Sequence, residues 1–187
     1  MAIIVVGGSE RGVGKTALVC GLIAALPEFH WTAVKIASDK HGLPAPLWEE
    51  TDPGQGSGTA RYLAAGAQRA FLVTAPGDLA AALDELWTKI GPGANVIFES
   101  NRILNRLKPD LCLMVAGGQD PALALPKPSF TSAARHADAT VARAQTDGMQ
   151  TSESGPVFLL ADLERVSPPM CAWLRERLGP YLRKSSA

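Results

Sequence analysis

Residues 8 to 16 read Gly8-Ser9-Glu10-Arg11-Gly12-Val13-Gly14-Lys15-Thr16. Glycines, a lysine and a threonine at this spacing suit one task, which is holding a polyphosphate. Gly12 and Gly14 let the backbone pass close to an anion with no Cβ in the way. Successive main-chain N–H groups, and the start of the helix that follows, then point at the charge. Lys15 adds a cation for the terminal phosphates, and Thr16 adds a hydroxyl for Mg2+. The generic phosphate loop is G-x-x-x-x-G-K-S/T. Here Ser9 stands where the first glycine of that spacing belongs, and Gly8 lies one place earlier. The stretch Ser9-Glu10-Arg11-Gly12-Val13-Gly14-Lys15-Thr16-Ala17 is the candidate cup for a nucleotide, ATP or GTP. Glu10 is acidic within it and is expected to turn toward the γ-phosphate side or a second substrate rather than touch phosphate. The alternative is a glycine-rich strand-to-helix turn that binds nothing.

Two more residue types stand out. Glu99 ends the apolar run Val96-Ile97-Phe98. A carboxylate at the carboxyl edge of a buried strand is placed to meet Mg2+ or orient water. Arg143 follows the run Thr140-Val141-Ala142 and can stack on a purine, or it is a solvated loop arginine.

These residues need elements to position them. Ala2 to Val6 is a short β-branched run that reads as a strand buried on both faces. Lys15 to Leu26 is rich in Ala and Leu and closes at Pro27, which predicts a helix. Trp31 to Ala37 reads as a second strand, and Ser38 to Gly58, heavy in Gly and Pro, as one long loop. A helix is expected over Thr59 to Ala67 and a strand over Ala70 to Thr74. A helix from Gly77 to Ile90 carries Leu79, Leu83, Leu86, Trp87 and Ile90 on one stripe. Strands follow at Asn95 to Glu99, Leu111 to Ala116, Asp138 to Ala142 and Val157 to Leu160. Gly117 to Ser129 is Pro- and Gly-rich, and Gly117-Gly118-Gln119-Asp120-Pro121 is placed to line a second-substrate side. Gln145 to Gly155 is polar and aperiodic and reads as an exposed loop. Ser167-Pro168-Pro169 starts a last helix, Gly179-Pro180 is expected to stop it, and residues 182–187 read as a frayed tail. Alternating strands and helices predict an α/β fold of three layers, a mostly parallel sheet with helices on both faces; the phosphate-loop motif between its first strand and helix makes the expected type that of a P-loop NTPase. In such sheets ligands bind beyond the carboxyl ends of the strands.

Composition bounds the rest. The 187 residues carry 18 basic and 18 acidic side chains, and 47% are apolar. That supports one core, so residues 1–187 are expected to form a single nucleotide-binding domain. Zero net charge lacks the basic footprint of a dedicated nucleic-acid binder. No apolar run approaches the roughly 20 residues of a membrane span. Cys20, Cys112 and Cys171 are far apart and outside any C-x-x-C pattern, which implies buried thiols in a reducing compartment and a cytoplasmic location. Trp31 and Trp48 look exposed. They are candidates for a homodimer interface, although Trp48 reads better as a pin holding the long loop to the core.

The segment from Gly8 to Thr16 resembles the loop of dethiobiotin synthetases, G-T-D-T-x-V-G-K-T. Those enzymes belong to the SIMIBI branch of P-loop proteins. That branch also holds the signal-recognition GTPases, the MinD-like ATPases and the B protein of molybdopterin-guanine dinucleotide biosynthesis, which this chain resembles in length more than it does the somewhat longer synthetases. Both families carry a lysine where Val34-Lys35-Ile36 stands. The resemblance implies that Lys35 faces the γ-phosphate or a second substrate; otherwise it is an exposed strand-end lysine. Gly54-Gln55-Gly56-Ser57 and Ala65-Gly66-Ala67 are similar to the G-K-D-S … A-G-A stretch of the B proteins. Their lysine and aspartate are Gln55 and Gly56 here. Asp52 is the carboxylate that can take over at Mg2+, or it forms a turn before Pro53. Val96-Ile97-Phe98-Glu99-Ser100 resembles the V-x-x-E-G of both families and supports Glu99 as the metal-side acid. No N-K-x-D guanine signature occurs over Thr140-Val141-Ala142-Arg143-Ala144-Gln145, which tilts the choice toward ATP or toward no selectivity for the base.

The resemblance implies Mg2+-dependent hydrolysis of ATP or GTP, or phosphoryl transfer, in cofactor biosynthesis. Lys15, Lys35 and Glu99 would be catalytic, Thr16, Asp52 and Glu99 would be at the metal, and the second small molecule or protein partner is unspecified. Two alternatives stand beside it. One is an ATP-dependent ligase or small-molecule kinase like dethiobiotin synthetase. The other is a non-catalytic module that binds nucleotide or a partner.

Overall fold

The structure is a computed structural model and describes residues 1–37, 46–74, 79–117, 134–153 and 155–182. Nine strands form one sheet in the order β3-β4-β2-β5-β1-β6-β7-β9-β8. They are β1 Ile3–Gly8, β2 Thr32–Ala37, β3 Leu47–Glu50, β4 Arg69–Thr74, β5 Val96–Glu99, β6 Leu111–Ala116, β7 Ala139–Arg143, β8 Gly148–Ser152 and β9 Gly155–Leu160. Among the described residues the α-helices are α1 Lys15–Ala25, α2 Gly58–Ala64, α3 Ala80–Ile90 and α4 Pro168–Leu182. All pairings are parallel except β3 with β4 and β8 with β9.

Period-two alternation divides the buried side chains between two faces. Ile4, Val6, Ala33, Ala70, Ile97, Leu113 and Val141 pack with Leu18, Leu22, Tyr62, Met170 and Leu174 from α1, α2 and α4. Val5, Val34, Phe71, Phe98 and Met114 pack with Leu83 and Leu86 from α3. Buried from both sides, the central strands are continuous apolar runs, as parallel strands must be. The expected α/β architecture of a mostly parallel sheet between helices is the one observed.

Both edges differ from expectation. β3 lies inside the stretch read as one loop from 38 to 58. Its four residues have no alternation to betray them. They are strand because β4 offers a free edge, and because Arg69 clamps Glu49 through two bonds of 2.7 and 2.9 Å. That guanidinium, which also lies 4.8 Å over the Phe71 ring, holds the Glu49 carboxyl below its ordinary range. β8 lies inside the expected loop from 145 to 155 and is polar and exposed; it exists as the second arm of a hairpin with β9.

The last helix does not stop at Gly179-Pro180 but runs to Leu182. A proline two residues before the end deprives only the carbonyl of Glu176, an exposed residue, where water can satisfy it. Residues 183–187 lie outside the described residues, as do residues 118–121.

Trp31 is buried at 1% exposure, stacked on Phe29 at 4.8 Å, with its indole N–H donating 2.9 Å to the Leu26 carbonyl. It therefore cannot serve an interface. Trp48 sits in β3 and is 44% exposed, so it pins nothing to the core. All three cysteines are free. Burial pushes the Cys20 thiol up to about 11 and Cys112 up to about 12, which leaves both inert. Among the described residues no helix is long and apolar enough to cross a membrane.

Candidate functional site

The sheet order decides the site. β1 lies between β5 and β6, and β2 lies on the far side of β5. Val6 pairs with Glu99, and Glu99 pairs with Lys35, so the three stand in one row. Directly paired residues point to the same face, here the face covered by α1 and α2. The strand ends therefore deliver Lys35 and Glu99 side by side, next to the loop that leaves β1.

That loop is braced before it turns. Asn101 accepts from the Gly8 N–H at 2.8 Å and donates to the Gly8 carbonyl at 3.0 Å. Ser9 is buried; its N–H donates 3.0 Å to the Val115 carbonyl, and its hydroxyl accepts the Gly117 N–H at 2.9 Å. The serine that replaces the motif's glycine thus ties the loop to the end of β6, with its side chain spent on backbone. Gly12 at φ 80° and Gly14 at φ 104° take the left-handed turns that only glycine adopts without strain. Gly14 precedes α1 and gives it no side-chain cap. The first N–H groups of the helix are left for an anion. A Cβ on Gly14 would also run into the Leu163 side chain. Gly14→Ala is expected to lower stability by about 1–3 kcal/mol, read as a shift in the urea midpoint.

Lys15 reaches over the loop and donates 2.7 Å to the Glu10 carbonyl. Arg11 is exposed, and Val13 and Ala17 are half-buried against the core. Glu10 is exposed, and its carboxylate lies against Gly117, at the end of β6.

The centre of the site is Glu99, buried at 7% exposure. Its Oε2 accepts the Thr16 hydroxyl at 2.6 Å and the Tyr62 hydroxyl at short range. The Lys35 ammonium lies 3.2 Å from Oε1 and 3.0 Å from the Thr16 oxygen. Tyr62 comes from α2, is fully buried, and has its hydroxyl pushed well above its ordinary range, first by burial and then by the Glu99 charge. It is therefore a fixed donor. Tyr62→Phe removes a bond to a buried carboxylate and is expected to cost about 1.5–3 kcal/mol, measured by urea unfolding.

Of the residues singled out from sequence, Thr16, Lys35 and Glu99 meet in this cluster. The Asp52 carboxylate is engaged with its own loop. It is exposed, and its Oδ1 accepts the Gly54 N–H at 2.8 Å in an Asx turn. Arg143 ends β7 and lines a cleft of about 990 Å3 with Glu10, Gly12, Ala116, Gln145 and Leu159. Tyr62 escaped the sequence reading, and so did Glu50. Glu50 is buried at the end of β3 and takes the Thr51 and Asp52 N–H groups, both at 3.2 Å, and the hydroxyls of Ser57 at 2.9 Å and Thr59 at 3.2 Å. It fastens β3 to the start of α2, which holds Tyr62 in place. The sequence did carry a hint, since Tyr62 is an aromatic with a polar tip in a helix of small residues.

Among the described residues no group of three or more His, Cys, Asp or Glu could cage a metal ion. A Mg2+ at a phosphate site takes one or two protein oxygens, the rest coming from phosphate and water. A hydroxyl and a carboxylate in contact beside an anion loop are hard donors that fit this ion.

No protein-family model matches the chain, and no curated protein matches it. Among solved structures it is similar to LpxK from Aquifex aeolicus, crystallised as an "apo" form in complex with ATP, at a TM-score of 0.59 and 20% identity. The match covers 85% of this chain and 53% of that one, so the chain spans about half the neighbour's length. At this identity the likeness speaks for fold alone. Together with the β1–loop–α1 unit and the acid-bearing strand beside β1, it shows that the chain has the P-loop NTPase fold.

Proposed function

We propose that the chain binds a nucleoside triphosphate in the cup of residues 9–17 and, with Mg2+, hydrolyses it or transfers its phosphoryl group. The observation that carries this reading is the convergence of Thr16, Lys35 and Glu99 beside a loop whose helix N-terminus is uncapped. In this reading the loop N–H groups and Lys15 bind the phosphates. Thr16 and Glu99 would hold Mg2+, which when bound neutralises charge developing on the transferred group. Lys35 contributes positive charge at the same end, and Tyr62 keeps Glu99 oriented. The base would lie in the cleft at Arg143. The absence of Asn-Lys and Asp from residues 140–145 favours ATP over GTP. The resemblance to the B proteins supports a place in cofactor biosynthesis. The similarity of the loop to that of dethiobiotin synthetases supports phosphoryl transfer to a small acid.

The reading is tested by thermal and chemical unfolding with ATP and GTP in the presence of Mg2+. A ligand at a hundredfold excess over its Kd stabilises by about 2.7 kcal/mol. ATP is expected to do so at lower concentration than GTP. If no triphosphate raises stability, the proposal fails.

A further inference from the structure

The Lys35 ammonium occupies a pocket of oxygens. Nζ lies 3.0 Å from Thr16 Oγ1, 3.2 Å from Glu99 Oε1 and 3.4 Å from Glu99 Oε2. Those oxygens are the same hard donors that the proposed metal site would use. An ammonium bonds to oxygens at about 2.7–3.2 Å, and Mg2+ at about 2.0–2.1 Å, so both cations would be drawn to one seat. Two like charges there, sharing a single carboxylate, would repel strongly. The stem of Lys35 lies across Gly58, where an added Cβ would stand 2.9 Å from Nζ, 3.3 Å from Cδ and 3.5 Å from Cε. A glycine at the first position of α2 thus gives the lysine the room to reach the seat. Lys35 is also 28% exposed at its side chain, which leaves it a way out.

We infer that Lys35 is a built-in competitor of the divalent cation at the Thr16–Glu99 seat, and so sets the metal dependence of the site. The inference rests on the reading above for its setting, but its main test needs no nucleotide. With the lysine seated, Glu99 already has a cation, and a divalent ion must displace it to bind. With the lysine removed or pushed aside, the carboxylate and the hydroxyl are open to metal.

The probe is Mn2+ alone, followed by the loss of its free EPR signal on titration into nucleotide-free protein. Lys35→Met is expected to tighten Mn2+ binding by about tenfold or more, the order expected for removing a like charge at contact range. Gly58→Ala keeps the lysine charge but forces the ammonium to shift, and is expected to tighten binding in the same direction by about threefold. It carries the test if Lys35→Met proves unstable. Lys108 is exposed and outside the site, and Lys108→Met is expected to leave Mn2+ affinity at the wild-type value. Glu99→Gln in the Lys35→Met background should remove the gain. Wild-type affinity in both Lys35→Met and Gly58→Ala would overturn the inference. So would an equal gain in Lys108→Met, which would reduce the effect to net charge.

Calorimetry with ATP gives the second readout. Wild type is expected to bind ATP in EDTA within about threefold of its affinity with Mg2+, and Lys35→Met to widen that ratio to about tenfold. If ATP fails to bind while the Mn2+ series behaves as stated, the nucleotide reading falls and the competition at the seat stands.

Discussion

Lys15→Ala is expected to weaken ATP binding by about ten- to a hundredfold and to bring phosphate release down to background. The magnitude follows from what the ammonium does. A hydrogen bond to a charged partner contributes about 1.5–3 kcal/mol, and each 1.4 kcal/mol is a factor of ten. Lys15 is the cation built into the loop, held over it by the 2.7 Å bond to the Glu10 carbonyl. That bond arches the side chain across the loop that holds Gly12 and Gly14. Removing the side chain leaves the backbone cup intact, because Ser9 and Asn101 brace it from β6 and β5. The variant should therefore fold as wild type does. Calorimetry with ATP and a steady-state phosphate-release assay on the same preparations check this. A variant that binds and turns over ATP as wild type does would remove Lys15 from the site, and no turnover by wild type above this variant would leave only the binding half of the proposal.

Glu99→Gln is expected to separate turnover from binding. Replacing the carboxylate by an amide of the same shape removes the charge that holds Lys35 and would hold Mg2+. Loss of one preorganised electrostatic partner at a reacting centre costs about a hundred- to a thousandfold in rate. In the proposed reading the loop and Lys15 hold most of the ATP, so its affinity should change by less than about tenfold. Structural cost is to be expected as well. Oε2 accepts from both Thr16 and Tyr62. A glutamine oxygen can serve the two only by turning its amide group toward Lys35, donor against donor. Unfolding in urea should register about 1–3 kcal/mol, so rates must be compared well below the new midpoint. Equal losses in rate and in affinity would refute Glu99 as the metal-side acid and make it a structural anchor of the loop.

The elements that sequence predicted well are those whose signals are local. β1, the loop and α1 announce themselves through a β-branched run, glycines with special backbone needs, and an Ala- and Leu-rich stretch. The elements it missed, β3 and β8, are short edge strands with no alternation of their own. Leu47–Glu50 is strand because β4 is there and because Arg69 reaches Glu49. Gly148–Ser152 is strand because β9 folds back along it. The helix stop expected at Gly179-Pro180 failed because a proline near a helix end deprives a single carbonyl, that of an exposed residue. Asp52 was legible both as a metal ligand and as a turn former, and it makes the turn.

By itself the sequence determined the backbone path of the loop and the alternating frame, since backbone conformation at glycine and burial along a strand depend on neighbours a few positions away. What only the tertiary structure decided is the meeting of Thr16 with Glu99, 83 residues apart, of Lys35 with Glu99, 64 apart, and of Tyr62 with the same carboxylate. Those contacts depend on lateral strand order and on the pairing of Val6, Glu99 and Lys35 in one row. Order and register are settled by the packing of whole faces, against the entropy of closing long loops, and no local pattern of residues encodes them.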